Sequence, residues 1–556
     1  MVQATLAQGT PGCDFRLGAV THFSQGWPTS IIPHAVDLGV THIRDSIPWS
    51  RIETTPGAYD FSDPNVAYVD EVIAAGLDMT LVFAGRNPLY DNNGTPSSEV
   101  GRAAFAAFIV AALERFPDVK TIEIGNEFNG DNFVFGTVLE APYADRATHY
   151  TALLKSVHDA VRAQHPDVKI LGGATHSIPV DYLAAGFALG ALEAMDGIAV
   201  HPYTTAPELL ASQFEALSLA ANGGHPIYVT EFGVEGGTPD QSAIALLKYV
   251  PAFAASGVCD ADWYALMRQQ GFQNMELMTR SGELTPAGQA FALLARDVLP
   301  SGRATDIAPD PFVSAYLFGT GTLVMWGEPR TVQFSSEVEV LDVDGSRSPT
   351  TSVEIGPDMP VVIKSSSDLS VAGAIDFGVA PLVADSLRQF TTVSGKNVWH
   401  YSAIKATGPV TLAQMGGGSR KSELWTPYMG DKNLRPLSIS GLAASPTSFK
   451  HSDGTYETVA VEEAIALPAG TYRLVGDWDT ADKSSDGVTL TVALAGAELY
   501  AGPVGTKDNG YTLNLDLPFE AADGALLSFT LHPNQNSEGG DSTRRRIRVF
   551  ASEGNT

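Results

Sequence analysis

Residues 121–127 read TIEIGNE. Ile122 and Ile124 alternate with polar positions and run into Gly125, then Asn126 and Glu127, the pattern of a buried strand that delivers two polar side chains at its end. A second such stretch, PIYVTE at 226–231, is again short, rich in β-formers and closed by a glutamate, with Phe232, Gly233 and a glycine-rich loop behind it. A single strand-end carboxylate is commonly satisfied by an arginine or a backbone amide. Two of them on two strands point to paired acid/base and nucleophile chemistry.

Outward from these stretches, the first 300 residues alternate short β-rich runs with longer helical ones. Strands are expected at 15–23, 42–49, 78–85, 121–127, 169–175, 197–203, 226–232 and 260–267. Helical periodicity occupies 98–116, 141–164, 207–221, 240–255 and 285–299. Near-continuous apolar strands alternating with helices predict an α/β architecture, a parallel (β/α)8 TIM barrel over residues 1–300 rather than an open doubly wound sheet. The first strand is not followed by a GxGxxG turn, which weakens a dinucleotide-binding reading. In such a barrel, chemistry sits where strands end, and both glutamates sit there.

From Ser301 the texture changes to short strands without helical period. FVSAYLFG, TLVMWG, TVQFS, VEVLDVDG and MPVVIK predict a small β-sandwich over 301–367, packed on the barrel. Residues 368–556 alternate as a second, jelly-roll-like β-sandwich. Its Trp399, Trp425, Tyr428 and Trp478 are either platforms for sugar rings or sandwich core. The run Arg544, Arg545, Arg546 and Arg548 lies on an expected last strand, and alternation predicts a mostly solvated face with no partner.

Composition narrows the partners. With 34 Lys+Arg against 63 Asp+Glu the net charge is −29, which argues against nucleic acid or an anionic membrane surface. The longest apolar helical run, around 103–113, is too short to span a bilayer, so no membrane insertion is expected. The start, MVQATLAQGTPG, lacks the charged and long apolar parts of a signal peptide; the expectation is a secreted or periplasmic protein with its leader missing from this sequence, the cytoplasm being the alternative. Two cysteines, Cys13 and Cys259, exclude a multi-cysteine zinc site. They precede the first and last barrel strands, which closure makes neighbours, so a disulfide across the seam is expected in an oxidising compartment.

The barrel motifs carry a resemblance. GVTHIRDSIPWSRIETTPGAYDF at 39–61, IGNE at 124–127, VHPY at 200–203 and VTEFG at 229–233 resemble the retaining glycoside hydrolases of clan A, most of all family 39, across the barrel and the small sandwich. The resemblance implies Glu127 as general acid/base, Glu231 as nucleophile and Asn126 as donor to the sugar 2-hydroxyl. It implies no cofactor and no metal, and a poly- or oligosaccharide as substrate.

Chemistry supports the same roles. Double displacement needs one carboxylate ionised and the other protonated, with the carboxyls about 5–5.5 Å apart. Arg44 at the end of the second strand is placed to pair with Glu231, and the Tyr203 hydroxyl to orient it; the alternative for Arg44 is an ion pair with Asp45 or Glu53. Burial and the charge of Glu231 are expected to favour the proton on Glu127. Further candidates for the substrate or the nucleophile are His201 and His22, and Trp263 for the floor of the sugar site, with Tyr264 beside it leaving the register open. Trp49, with Trp27, Tyr90, Phe128 and Phe133, is placed for flanking subsites or core. Strand parity makes Glu123 a buried supporting carboxylate. A metal-dependent hydrolase would want more histidines at ligand spacing. The competing reading is a non-catalytic polysaccharide-binding protein, which would keep the aromatics and have no use for both carboxylates.

Overall fold

The structure, a computed structural model, describes residues 13–415, 426–434, 436–450, 456–480, 487–505, 512–534 and 541–552. Trp425 lies outside them. Eight parallel strands, β1 (Arg16–Val20), β2 (His42–Ser46), β3 (Asp78–Phe83), β4 (Thr121–Ile124), β5 (Lys169–His176), β6 (Gly197–His201), β7 (Ile227–Phe232) and β8 (Val258–Trp263), close into a barrel in chain order, with β8 pairing β1. All eight expected stretches correspond to barrel strands. Several ran past the pairing, at Trp49, Gly85, Glu127 and Tyr203, because these residues beyond the strand ends line the barrel mouth instead of extending the ladder.

The helices between strands start where their caps permit. The Ser98 hydroxyl accepts from Gly101 N and begins the helix Glu99–Arg115, and Thr238 with Gln241 forms a capping box on Pro239–Ala255. Phe105, Phe108, Ile109 and Leu113 of the first of these are buried, each stabilising by about 1.5–3 kcal/mol. Cys13 and Cys259 form a disulfide with a Cα–Cα distance of 5.5 Å, tying the segment before β1 to β8 at the seam.

The chain divides into two compact units, the first running through the barrel and the following sheet to Gly378. That sheet has seven antiparallel strands organised by the long strand Arg330–Leu341. An irregularity between Gln333 and Val338 lets its two halves pair with different partners, Ile375–Asp376 and Val361–Lys364, so the sheet folds over a core that includes Leu317, Leu323, Met325, Val332 and Ile363. It is joined to the barrel by a buried polar contact: Trp326 Nε1 donates to Glu208 Oε1 at 2.9 Å, and Lys248 Nζ lies 3.3 Å from the same oxygen.

The second unit stacks two antiparallel sheets as a β-sandwich. Trp399, Tyr428 and Trp478 are buried, and Trp399 and Trp478 pack on Phe529, so these rings are core and not sugar platforms. The arginine run is not uniformly solvated either. Arg545 turns inward and pairs with buried Glu463 of the other sheet, because alternation puts every second residue of Thr543–Ala551 in the core, where a charge needs a partner.

Candidate active site

Four strands converge on one network. Arg44, buried in the middle of β2, donates from Nε to Glu123 Oε2 at 2.6 Å, from Nη1 to Glu231 Oε1 at 2.5 Å and from Nη2 to Asn126 Oδ1 at 2.9 Å. Neither expected alternative partner competes. Asp45 accepts from Thr21 Oγ1, Phe23 N and Ser24 Oγ, and Glu53 from Trp49 Nε1, Gly57 N and Tyr90 Oη. The second oxygen of Glu231 accepts from Tyr203 Oη at 2.9 Å, so both of its oxygens are held. With Asn126 Oδ1 occupied, its amide nitrogen remains as a donor at the cleft.

Glu127 is aimed by backbone turns. β4 stops at Ile124, Gly125 takes φ +87°, and Glu127 itself sits at φ +43°, a left-handed conformation uncommon for a residue with a side chain. Its Oε1 lies 3.2 Å from both His176 Nδ1 and His201 Nδ1. His201 Nε2 meets Thr230 Oγ1 at 3.1 Å, and that hydroxyl donates its one proton to Glu123 Oε1 at 3.0 Å. Thr230 must therefore accept from His201, whose other nitrogen faces a carboxylate. One proton is thus shared between His201 Nδ1 and Glu127 Oε1.

Burial alone would pull His201 down, but Glu231, Glu123 and Glu127 around it raise it to about 9. Burial pushes Glu123 up, and Arg44 with His201 outweighs it, leaving about 2. For Glu127, burial raises the carboxyl but the hydrogen bonds from His176 and His201 dominate and hold it well below the ordinary range. This corrects the expectation that Glu127 itself favours the proton. The shared proton is favoured on the His201 side of their hydrogen bond.

A pH dependence follows. Because the folded value of His201 lies above its ordinary 6.5, its charge stabilises the fold fully below pH 6.5, by about 3 kcal/mol, and that contribution is lost as pH rises through about 9. Unfolding midpoints measured from pH 6 to 10 should fall over this window, and less so in His201→Gln. Parallel curves for the two proteins would refute the assignment.

The cleft, about 750 Å³, is lined by Glu127, Glu231, Asn126, Arg44, Tyr203 and His22 among others. His22 Nε2 lies 3.0 Å from Tyr264 Oη rather than on Glu231, and burial with the nearby Arg44 charge lowers it to about 4, so it is a neutral wall group. His201 is fully buried beneath the carboxylates and acts on them, not on substrate. Trp263 is also fully buried, packed on Phe232 with its indole N–H donating to Met275 O; the cleft ring is Tyr264, one residue on, because β8 ends at Trp263 and the alternation turns the next side chain to the mouth. Trp49 is buried in the wall of a side recess, its N–H tied to Glu53.

His176 was missed in the sequence, although a strand-end histidine in GATHS carries the same signal as His22 and His201. The expected fifth strand stopped one residue short of it, at Thr175. Glu127, His201 and Glu231 also offer three donor atoms within 4.8 Å of one another, the set among the described residues that a cation would use. Arg44 already places a positive charge on Glu231, so a hydrogen-bonded ion network suits these donors better than a metal does.

Residues 145–291 match the family model described as Glycosyl hydrolase catalytic core, a span that contains His201, Tyr203 and Glu231. The second half of the barrel is thus similar to a glycosyl hydrolase catalytic core. The resemblance read from the sequence is borne out by this hydrolase match and by the fold. A family 39 glycoside hydrolase from the gut symbiont Bacteroides cellulosilyticus WH2 superposes with a TM-score of 0.51 at 18% identity, over 64% of this chain and 81% of its own. SrfJ from Salmonella typhimurium superposes at 0.50 with 14% identity, over 65% and 91%. No curated protein matches the sequence. Among the described residues, no helix is long and apolar enough to cross a membrane.

Proposed function

We propose that the protein is a retaining O-glycosyl hydrolase acting on a poly- or oligosaccharide, with Glu231 as nucleophile and Glu127 as acid/base. One observation supports this most: carboxylate oxygens of Glu127 and Glu231, from two different strands, lie within 4.8 Å of each other. That separation matches double displacement, whereas an inverting pair stands about 6.5–9.5 Å apart to admit a water.

In the first step a Glu231 oxygen bonds to the anomeric carbon as the glycosidic C–O bond breaks, and Glu127 passes its proton to the departing oxygen. In the second, Glu127 takes a proton from water, the water oxygen bonds to the anomeric carbon, and the bond to Glu231 breaks. Arg44 and Tyr203 hold Glu231 in line. Asn126, fixed by Arg44, presents its amide to a sugar hydroxyl. His201 holds the proton that Glu127 delivers.

The test is stereochemical. Aryl glycosides and a glycan panel are incubated with the enzyme, and the first-formed anomer is read by NMR. Retained configuration is expected; an inverted first product would overturn the mechanism.

A further inference from the structure

Beside the cleft lies a recess of about 420 Å³ that shares Asn126 and Phe133 with it. The two cavities differ in charge. The cleft carries Glu127, Glu231, Glu235, Asp45 and Asp131 against the single arginine Arg44, whereas the recess is lined by two arginines, Arg51 and Arg86, and by no carboxylate, in a chain of net charge −29.

Arg51 is already neutralised, its Nε 3.1 Å from Asp63 and its Nη2 donating to Ser24 O. No carboxylate of the described residues pairs with Arg86. Its guanidinium instead lies 3.9 Å from the centre of the Phe135 ring, which fixes the group without satisfying its charge. Phe135 is itself pinned, its N–H donating to Thr95 Oγ1 at 2.9 Å and its carbonyl accepting from Thr95 N at 3.2 Å. Phe133, a large exposed aromatic, stands at the junction of the two cavities, where a sugar ring passing from one to the other would meet its face.

We propose that the recess is a subsite for a sugar bearing an anionic substituent, a carboxylate or a sulfate ester, recognised by Arg86. This deepens the hydrolase reading and rests on it. A planar guanidinium with free donors suits either oxyanion. The acidic cleft would repel such a group on the sugar being cleaved, so the charge belongs on its neighbour.

The test measures affinity by calorimetry with the Glu231→Gln variant, so that binding is read without turnover. The probes are matched pairs: uronate-containing oligosaccharides from glucuronoxylan, pectin and glycosaminoglycans against their carboxyl-reduced forms, and sulfated galactan fragments against their desulfated forms. The charged member of at least one pair should bind about tenfold or more tightly, and the pair that responds identifies the oxyanion. Adding Arg86→Ala should erase that preference, and Arg86→Lys should keep part of it. The exposed position of Arg86 leaves the fold intact. If no pair shows a preference, or if the preference survives Arg86→Ala, the proposal is wrong. Failure of the hydrolase reading would show separately, as wild-type protein that binds these glycans and turns over none.

Discussion

Replacing Glu231 with glutamine should abolish turnover, by roughly 10⁴-fold or more, because in the proposed mechanism it forms the covalent glycosyl bond and the remaining groups cannot replace it. Glutamine keeps one oxygen for Arg44 and turns an amide N–H2 toward Tyr203, whose hydroxyl then accepts instead of donating, so the network loses a charge and reverses one hydrogen bond but keeps its shape. Arg44 retains Glu123 as a counter-ion, which limits the stability cost. Thermal unfolding should therefore show a folded protein, and activity should be missing even on aryl glycosides with good leaving groups. Shortening the residue further, in Glu231→Ala, opens room at the nucleophile position. Added azide should then restore turnover and give a glycosyl azide of inverted configuration. A Glu231→Gln variant that still hydrolyses activated substrates at near wild-type rates would remove Glu231 from the mechanism.

Replacing Glu127 with alanine should give a different signature. Without the proton donor, substrates with poor leaving groups should slow by roughly 10²–10⁴-fold, while an activated aryl glycoside that needs no proton should still form the covalent intermediate. Deglycosylation then becomes limiting, since no base activates the water. Azide, which needs no base, should speed that step and yield a product of retained configuration. Equal losses on good and poor leaving groups, with no azide effect, would place the acid/base elsewhere. The same variant strips His176 and His201 of their shared acceptor.

Much of the fold was legible because barrel strands are short apolar runs whose spacing survives without knowledge of partners, and TIEIGNE and PIYVTE show both a buried strand and its polar end. Arg44 was legible for a related reason: a cation at a strand end facing two expected carboxylates has few other places to go. The seam disulfide followed from barrel closure, which makes the first and last strands neighbours. Where the reading slipped, the cause was one residue of register. Trp263 and Tyr264 are adjacent, and alternation sends adjacent side chains to opposite sides, so composition alone does not say which faces the sugar. The aromatics of the second unit were ambiguous for a comparable reason, since buried and exposed rings look alike in sequence.

The residue types and their order thus determined an eight-stranded barrel with Glu127 and Glu231 at the mouth, because strand periodicity and strand ends are local properties of the chain. The protonation logic of the site was decided only by tertiary structure. His176, His201, Thr230 and Glu123 come from four different strands, and whether a buried carboxyl keeps its proton depends on which of these groups lie about 3 Å away, a distance that no sequence separation encodes. The same holds for the recess: Arg86 and Phe135 stand far apart in the chain, and only folding shows that the arginine is stacked, unneutralised and beside the cleft.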